Sequence, residues 1–368
     1  MWHAWTDGLC LHLRNSSREK GRPRSRMGCV QSSGRDEAAE KDQEEPKAYS
    51  WDKKDRVDPA DFTLEGLMGQ EAGRTPGTIN GQQFIVQNCH SSQIFLLDHI
   101  NTITIDDCCD CIIFIGPTTG SVFIRDCREC VVVGACGQFR TRDCSRLEVY
   151  LLCQTQPIIE ASSKMKFGCF QAFYPQLRDQ FSKAGLSLFN NNWSNVYDFT
   201  PVEGETNWSC VSQPTALPAS LPLPRTQPLA SVGLSVEEEA SIVPYTLGSP
   251  LYHGQEAALV IVFHDNDQQQ KATTFIAVLR DRVEDCRIQH SREVKMEAVD
   301  AVRVFGDSDH KAAATRGPVI ALLCVGTGIH QACTSLAGDV SIYVTPNSNT
   351  GLRQIEAFFS YASMSMTM

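Results

Sequence analysis

The residue in this sequence that is best suited to binding or catalysis is an arginine. A sequence repeat places it on the outside of a strand. Asn or Asp followed by Cys recurs at spacings of 19, 19 and 17 residues, as Asn88-Cys89, Asp107-Cys108, Asp126-Cys127 and Asp143-Cys144. An apolar residue stands four positions before each Asn or Asp, at Phe84, Ile103, Val122 and Phe139. Because strand side chains alternate between two faces, Arg140 points outward where Phe139 points inward. An exposed guanidinium on a rigid strand can bind a phosphate on a partner, although position alone favours an ordinary surface arginine like Arg125, Arg142 or Arg146.

The sequence contains 16 cysteines, and two pairs of them have the spacing of a zinc ribbon. Fifteen residues separate Cys108-x-x-Cys111 from Cys127-x-x-Cys130, but Cys127 follows Cys108 by 19 residues, which is also the spacing of the repeat. In the preceding unit, Ser92 stands where the second cysteine of a pair would be. We therefore favour a ladder of small buried residues over a zinc site and predict no metal. Disulfides are disfavoured for two reasons. Stacked cysteine side chains point in parallel rather than toward each other, and the thiols of a protein that is not secreted stay reduced.

A third pattern predicts a lipid anchor. Met27-Gly28-Cys29-Val30-Gln31-Ser32 fits N-myristoylation of Gly28, with Cys29 available for palmitoylation. Two acyl chains anchor a protein stably, whereas one binds membranes only marginally. Gly28 can be acylated only when it is N-terminal, so the prediction requires initiation at Met27 rather than Met1.

Composition excludes several classes of protein. The chain has 368 residues with 42% hydrophobic and 21% charged, which is enough for two packed domains. Lys+Arg 33 against Asp+Glu 43 gives a net charge of −10, which argues against a nucleic-acid partner. No apolar run approaches the roughly 18 residues of a membrane-spanning helix.

The last third of the chain contains five histidines, without a nucleophile motif or a phosphate-binding loop. We interpret them as core or surface residues: His253, His264, His290, His310 and His330.

The fold class expected is β plus α+β, in four regions. Residues 1–58 are polar and predicted to be disordered, with the acylation motif at 27–32. Residues 59–210 hold the repeat, and units this short must stack into a β-helix to bury their apolar faces. Residues 211–240 are Pro-rich and predict a linker. Residues 241–368 alternate strand-like and helix-like stretches, which predicts a ferredoxin-like domain, with strands expected at Ala257–Phe263, Val319–Val325 and Val340–Val344 and a helix at Lys271–Val283.

The repeat region, with Gln138-Phe139-Arg140, resembles the tubulin-folding cofactor C domain family, whose signature is Gln-x-Arg. More closely, nearly the whole chain from Met27 is similar to the X-linked retinitis pigmentosa type 2 branch of that family. The motifs shared with that branch are Met27-Gly28-Cys29, Tyr49-Ser50-Trp51-Asp52, Pro76-Gly77-Thr78, Phe167-Gly168-Cys169-Phe170 and Trp193-Ser194-Asn195. The resemblance implies a right-handed β-helix followed by a domain similar to nucleoside diphosphate kinases.

The resemblance also implies a function: a GTPase-activating protein for an Arf-like small GTPase in ciliary and membrane-protein trafficking. It implies that Arg140 is the arginine finger, Gln138 its partner in the motif, and Glu160 the residue that holds or orients it. Phe199 and Asp198 would contact the GTPase in its GTP form. The chain would have no cofactor of its own and would act on GTP and magnesium bound to the partner. The expected location is the cytoplasmic face of the plasma membrane, the cilium and the ciliary base.

One departure from the family pattern keeps a rival function open. The family has two glutamines before the phenylalanine, and here the first of these positions is Gly137. This glycine could loosen the loop or remove one contact, so the alternative is a membrane-tethered adaptor that binds the GTPase without stimulating hydrolysis. The last domain has no active-site histidine motif of nucleoside diphosphate kinases, and we expect it to be catalytically silent.

Overall fold

The computed structural model describes residues 58–211, 221–248, 256–306, 310–340 and 342–365. The chain divides into two units, Met1–Arg56 and Val57–Met368, and all described residues lie in the second. Gly28, Cys29 and almost all of the predicted disordered region therefore lie outside the described residues. Within the described part of the chain, no helix is long and apolar enough to cross a membrane.

Twelve parallel strands form a β-helix of about six turns, which confirms the fold expected from the repeat. The strands are β1 (Thr63–Glu65), β2 (Glu71–Arg74), β3 (Phe84–Gln87), β4 (Gln93–Leu96), β5 (Ile103–Asp106), β6 (Ile112–Arg125), β7 (Val131–Arg142), β8 (Glu148–Cys153), β9 (Ile158–Glu160), β10 (Met165–Cys169), β11 (Tyr197–Asp198) and β12 (Trp208–Cys210). β6 and β7 are long enough to run along two sides of the β-helix, so each contributes one half to either side.

Two sides of the β-helix differ in what lies outside them. We call the first the open face; it contains β1, β3, β5, the C-terminal halves of β6 and β7, then β9 and β11. The second, the covered face, contains β2, β4, the N-terminal halves of β6 and β7, then β8, β10 and β12. Both faces direct alternate side chains into the same interior, which is filled by Ile, Val, Phe and Cys.

The repeated Asn or Asp has a structural reason. Asn88, Asp107, Asp126 and Asp143 all have φ between 52° and 55°, the left-handed conformation that turns the chain at each corner. Asn and Asp tolerate this conformation better than other residues with a side chain. The following cysteines point inward, and the Sγ atoms of Cys89, Cys108, Cys127 and Cys144 lie 3.1–3.3 Å from the carbonyl oxygen two residues earlier.

The cysteines therefore form a buried column, which Ser162 continues in the next turn. A second column contains Ser92, Cys111, Cys130 and Leu147. Burial favours the neutral thiol, and it raises the pKa of Cys89 to about 11. The described cysteines are unbridged, and among the described residues no group of three His, Cys, Asp or Glu side chains is placed to hold a metal ion.

The outer side of the covered face is buried beneath other parts of the chain. Helix α1 (Leu177–Ala184) places Leu177 and Phe181 in one hydrophobic cluster with Phe114 of β6. The ring of Phe114 lies 6.3 Å from those of Phe170 and Tyr174. From the predicted linker, Leu221, Leu229 and Leu234 join the same cluster. The domain boundaries at 210 and 240 stay predictions.

The C-terminal lobe, residues 256–365, is an antiparallel sheet with helices. Its strands are β13 (Ala257–Val262), β14 (Arg287–Lys295), β15 (Pro318–Val325) and β16 (Ile342–Val344), in the order β14-β15-β13-β16. Its helices are α2 (Gln268–Arg282), α3 (Ala298–Phe305), α4 (Lys311–Ala314), α5 (Ile329–Val340) and α6 (Asn349–Ser365). The three strands and the helix expected from the sequence are present, while β14, α3, α4, α5 and α6 were not anticipated. The assignment of a ferredoxin-like fold stays a prediction.

Candidate functional site

Arg140 lies near the middle of the open face, in a row of outward side chains from four neighbouring strands. The strand register places it between Phe123 of β6 and Ile158 of β9, and Tyr197 of β11 follows Ile158. Arg140 is exposed and Phe139 is 1% exposed, as the alternation predicted. Phe123 and Ile158 are half-buried and Tyr197 is exposed. We call Phe123, Arg140, Ile158 and Tyr197 the Arg140 row.

The next outward row is charged. Asp106, Arg125, Arg142 and Glu160 are aligned across β5, β6, β7 and β9. Arg125 donates to both carboxylate oxygens of Asp106, at 2.8 and 2.6 Å, and this pairing raises the pKa of Arg125. Arg142 forms an ion pair of 3.3 Å with Asp143. The charged row thus contains two arginines that are each already paired with an aspartate.

Arg140 and Glu160 differ from those arginines. Among the described residues, neither the Arg140 guanidinium nor the Glu160 carboxylate has a hydrogen-bond or ion-pair partner. Glu160 lies directly opposite Arg142 and diagonally from Arg140. Both line a shallow depression of about 250 Å³, together with Phe123, Ile124, Arg125, Thr141 and Arg142. The depression therefore combines an arginine and a carboxylate, both available to an incoming partner, with apolar neighbours.

Gln138 and Gly137 lie in β7, two and three residues before Arg140. Gln138 is exposed, and its Oε1 accepts a hydrogen bond of 3.3 Å from the Ser121 hydroxyl. Gly137 is in a strand rather than a loop, and a Cβ atom there would lie 2.6 Å from the carbonyl oxygen of Thr119. The Gly137 carbonyl accepts from the backbone N–H of Thr155, at 3.2 Å, and from its hydroxyl, at 2.9 Å. Gly137 is therefore part of a strand, with its carbonyl hydrogen-bonded, and its effect on the motif stays a prediction.

Phe199 and Asp198 lie at the edge of the open face. Phe199 is 61% exposed, and its backbone N–H donates to the Ile159 carbonyl at 2.8 Å. Its ring makes an edge contact with Tyr197, with 6.4 Å between centroids. The Asp198 carboxylate accepts from the Thr200 N–H at 3.0 Å and from the Asn207 amide at 2.8 Å. Asp198 thus shapes this edge, while Phe199 and Tyr197 present apolar surface.

The structure brings Gln138, Arg140, Glu160 and Phe199 to one face. The apolar neighbours Phe123, Ile158 and Tyr197 were not among the site residues expected from the sequence. Phe123 was detectable, since it occupies the column of Arg140 in the repeat. Ile158 and Tyr197 were not, because β9 and β11 are 39 residues apart in the sequence and follow no shared spacing.

The described histidines of the C-terminal lobe take no part in this face. Burial lowers the pKa of the half-buried His290 to about 3, with a smaller contribution from the nearby charge of Arg292, so His290 is neutral at pH 7. Nδ1 of His264 lies 2.9 Å from Oε1 of Gln268 at the start of α2. His253 lies outside the described residues.

Comparison with known proteins identifies relatives. The sequence pattern described as tubulin binding cofactor C matches residues 81–199. The chain is 45% identical to Protein XRP2 of Danio rerio over 333 residues, 88% of each chain. It is 42% identical to Protein XRP2 of Homo sapiens over 350 residues, 92% of this chain and 99% of that protein. Identity to the tubulin-folding cofactor C of Arabidopsis thaliana is 30% over 133 residues, 36% of this chain and 39% of that protein. Both resemblances stated from the sequence are confirmed.

Proposed function

The chain belongs to the XRP2 family and contains a tubulin binding cofactor C domain, and on this basis we propose that it activates an Arf-like small GTPase by supplying Arg140 in trans. The observation that carries this proposal is the Arg140 guanidinium, which is exposed and has no partner among the described residues. Arg125 and Arg142 beside it are each paired with an aspartate. A positive charge kept without a counter-ion suits a group that meets its anion on a partner.

The mechanism follows from charge. GTP hydrolysis builds negative charge on the oxygens of the transferred phosphoryl group, and an arginine supplied in trans neutralises that charge. In other GTPases such an arginine raises the rate by roughly 10³–10⁵-fold, which corresponds to about 4–7 kcal/mol. GTP and magnesium belong to the partner in this proposal, and the chain contributes no cofactor of its own. Because Arg140 lies on a strand between two others, little entropy is lost in positioning its backbone.

The neighbouring residues have supporting roles in the proposal. Gln138 extends from the same strand toward the partner, beside Ser121. Glu160 forms no hydrogen bond or ion pair with Arg140 in the chain alone, so its proposed role is to orient the guanidinium once the partner has displaced water from the depression. Phe199, which Asp198 supports through the turn at Thr200, provides apolar contact area with the GTPase.

The C-terminal lobe is proposed to be a ferredoxin-like domain similar to nucleoside diphosphate kinases, without their activity. The antiparallel strand order β14-β15-β13-β16 supports this, because it is the order in which a βαββαβ chain pairs in ferredoxin-like folds. The missing active-site histidine motif supports the lack of catalysis.

We further propose that Gly28 and Cys29 are acylated and tether the chain to the cytoplasmic face of the plasma membrane, at the cilium and its base. Two acyl chains provide the stable anchoring that this location needs. Fractionation of cells expressing the chain from Met27 should find it with membranes, whereas Gly28→Ala and the form beginning at Met1 should be soluble. Equal membrane binding by all three forms would contradict the anchor.

A membrane-tethered adaptor is the second candidate, and Gly137 is the observation that favours it. The position has no side chain to offer the GTPase, and the close Thr119 carbonyl leaves no room for one in this arrangement. Single-turnover GTP hydrolysis by the GTPase, with and without saturating amounts of this chain, separates the two functions. We expect acceleration of at least about 10³-fold. Binding of the GTP form with no acceleration would establish the adaptor.

A further inference from the structure

The boundary between the C-terminal lobe and the β-helix contains a buried arginine. Arg292 of β14 is 5% exposed, and its guanidinium donates to the backbone carbonyls of Asn191 and Ser291. Its charge lies 5.9 Å from the centre of the Phe359 ring, and burial lowers its pKa to about 10. Among the described residues it has no carboxylate partner. Burying a charge without a counter-ion is costly, so its contact with Asn191 in the other lobe calls for an explanation.

The residue after Arg292 holds the same segment. The Glu293 carboxylate accepts from the Ser187 hydroxyl and, at 3.1 Å, from the Gln268 amide. The Ser187 oxygen accepts in turn from the backbone N–H groups of Phe189, at 3.0 Å, and Asn190, at 3.2 Å. Two consecutive residues of β14 therefore fix both ends of the turn from Ser187 to Asn191.

That turn leads into the edge of the open face. Asn192 donates its backbone N–H to the Cys153 carbonyl at 2.8 Å, and five residues later Tyr197 donates to the Pro157 carbonyl at 2.8 Å. Strand β11 then contributes only two residues, which pair with β9 alone. So short an edge strand has little stability of its own, and the segments on both sides of it contribute to holding it in place.

We propose that β14 of the C-terminal lobe is the positioning element for the partner-binding edge of the open face, with Arg292 and Glu293 fixing residues 187–192 so that Tyr197 and Phe199 stand beside Arg140. Only the identity of the partner, a small GTPase, is taken from the proposed function. It gives the C-terminal lobe a role in GTPase binding that requires no contact between that lobe and the GTPase.

The test compares the full-length chain with Arg292→Met and Arg292→Lys, and with Arg287→Met as the matched control. Arg287 is an exposed arginine on the same strand, and it donates only to carbonyls of its own lobe. Methionine keeps the length of the side chain, and removing a lone buried charge should leave the fold intact. The first readout is amide hydrogen exchange at Tyr197 and Phe199 in the chain alone, since both amides donate to this edge of the sheet. The second is GTPase affinity together with the saturating single-turnover rate.

In Arg292→Met we expect hydrogen exchange at these two amides to accelerate by about 3–10-fold. This factor corresponds to the net free energy of about one hydrogen bond. We expect GTPase affinity to weaken by a similar factor, while the saturating rate stays within about twofold because Arg140 on β7 does not move. Arg292→Lys should recover part of both losses, and Arg287→Met should resemble the wild type. Unchanged exchange at both amides would overturn the positioning role. Faster exchange with unchanged affinity would uphold it and refute the proposed partner contact at Phe199 instead.

Discussion

The open face and the covered face share the long strands β6 and β7 and the same interior, yet their outward residues differ in kind. On the covered face the outward positions are apolar and buried, as at Phe95, Phe114 and Tyr150. On the open face they are mixed, as at Thr104 and Arg140. A β-helix side with apolar residues on both surfaces must be covered by its own chain, because exposed apolar area of that size is unfavourable. A side whose outward positions are partly polar needs no such cover.

Removing one phenylalanine ring from each face should give the largest difference in the free energy of unfolding. Phe114 and Phe123 both belong to β6, but Phe114 is 1% exposed and packs against Phe170 and Tyr174. Phe114→Ala should lower the free energy of unfolding by about 3–5 kcal/mol. Phe123→Ala on the open face should lower it by less than about 1 kcal/mol. Urea unfolding of the full chain measures both, and equal losses would mean that the two faces do not differ as described.

The aromatic edge of the open face should matter for binding and not for folding. Phe199→Ala and Tyr197→Ala remove exposed rings, so each should weaken GTPase affinity by at least about tenfold while the unfolding curve is unchanged. Phe173→Ala is the control, since Phe173 is also exposed but lies outside the open face. Calorimetric titration with the GTP-bound GTPase gives the affinities. Wild-type affinity of the Phe199 variant would remove this edge from the interface.

A buried and a more exposed aspartate should differ in how the stability that they contribute depends on pH. Asp98 is buried and accepts from the N–H groups of Ile79, at 2.7 Å, and Asn80, at 2.8 Å. Burial raises the pKa of Asp98, but hydrogen bonds, chiefly from Asn80, Ile79 and Gly77, together hold it below its ordinary value. The stability it contributes is therefore full above the ordinary aspartate pKa of about 4 and is lost as the pH falls through its lower, folded-state pKa.

Asp98→Asn should accordingly cost about 1–3 kcal/mol at pH 7 and less at pH 3. Asp106→Asn removes the exposed pair with Arg125 on the open face and should cost less than about 1 kcal/mol. Urea unfolding at several pH values gives both differences. If the loss of unfolding free energy in Asp98→Asn were the same at pH 3 as at pH 7, the charge of Asp98 would not be what stabilises the backbone at Ile79 and Asn80.

Among the residues proposed to act at the GTPase, Glu160 should have the smallest effect. If it orients Arg140 in the complex, Glu160→Ala should slow the stimulated hydrolysis by about 3–10-fold and leave folding unchanged. Glu129→Ala serves as a control, because Glu129 pairs with Arg146 away from the Arg140 row. A loss as large as that of removing Arg140 would assign Glu160 a direct catalytic role.

Much of this architecture could be predicted from the repeat. The Asn/Asp-Cys corners, the inward column with Phe139 and the outward position of Arg140 all follow from alternation and spacing. The distinction between the two faces was present as well: Ile112-Ile113-Phe114-Ile115 is continuously apolar, while Ile103-Thr104-Ile105-Asp106 alternates. Continuous runs are typical of strands that are buried on both sides.

Other features could not be predicted, because they depend on contacts between distant parts of the sequence. The chain from Ser187 to Phe199 has no repeat, and its position follows from hydrogen bonds to β8, β9 and β14. A buried arginine such as Arg292 looks like any surface arginine in the sequence. Likewise, Glu160 could be assigned a role by resemblance, but its place opposite Arg142 required the register of β9.

The most direct test of the account is to measure rate and affinity together for Arg140→Ala. The arginine acts on charge that develops in the transition state, so single-turnover GTP hydrolysis at saturating chain should fall by about 10³-fold or more, while GTPase affinity changes by less than about tenfold. Arg140→Lys should recover little, because an ammonium does not reproduce the planar guanidinium, and Arg142→Ala should retain most of the rate. If Arg140→Ala stimulated hydrolysis as well as the wild type, the account would be contradicted and the adaptor function would replace it.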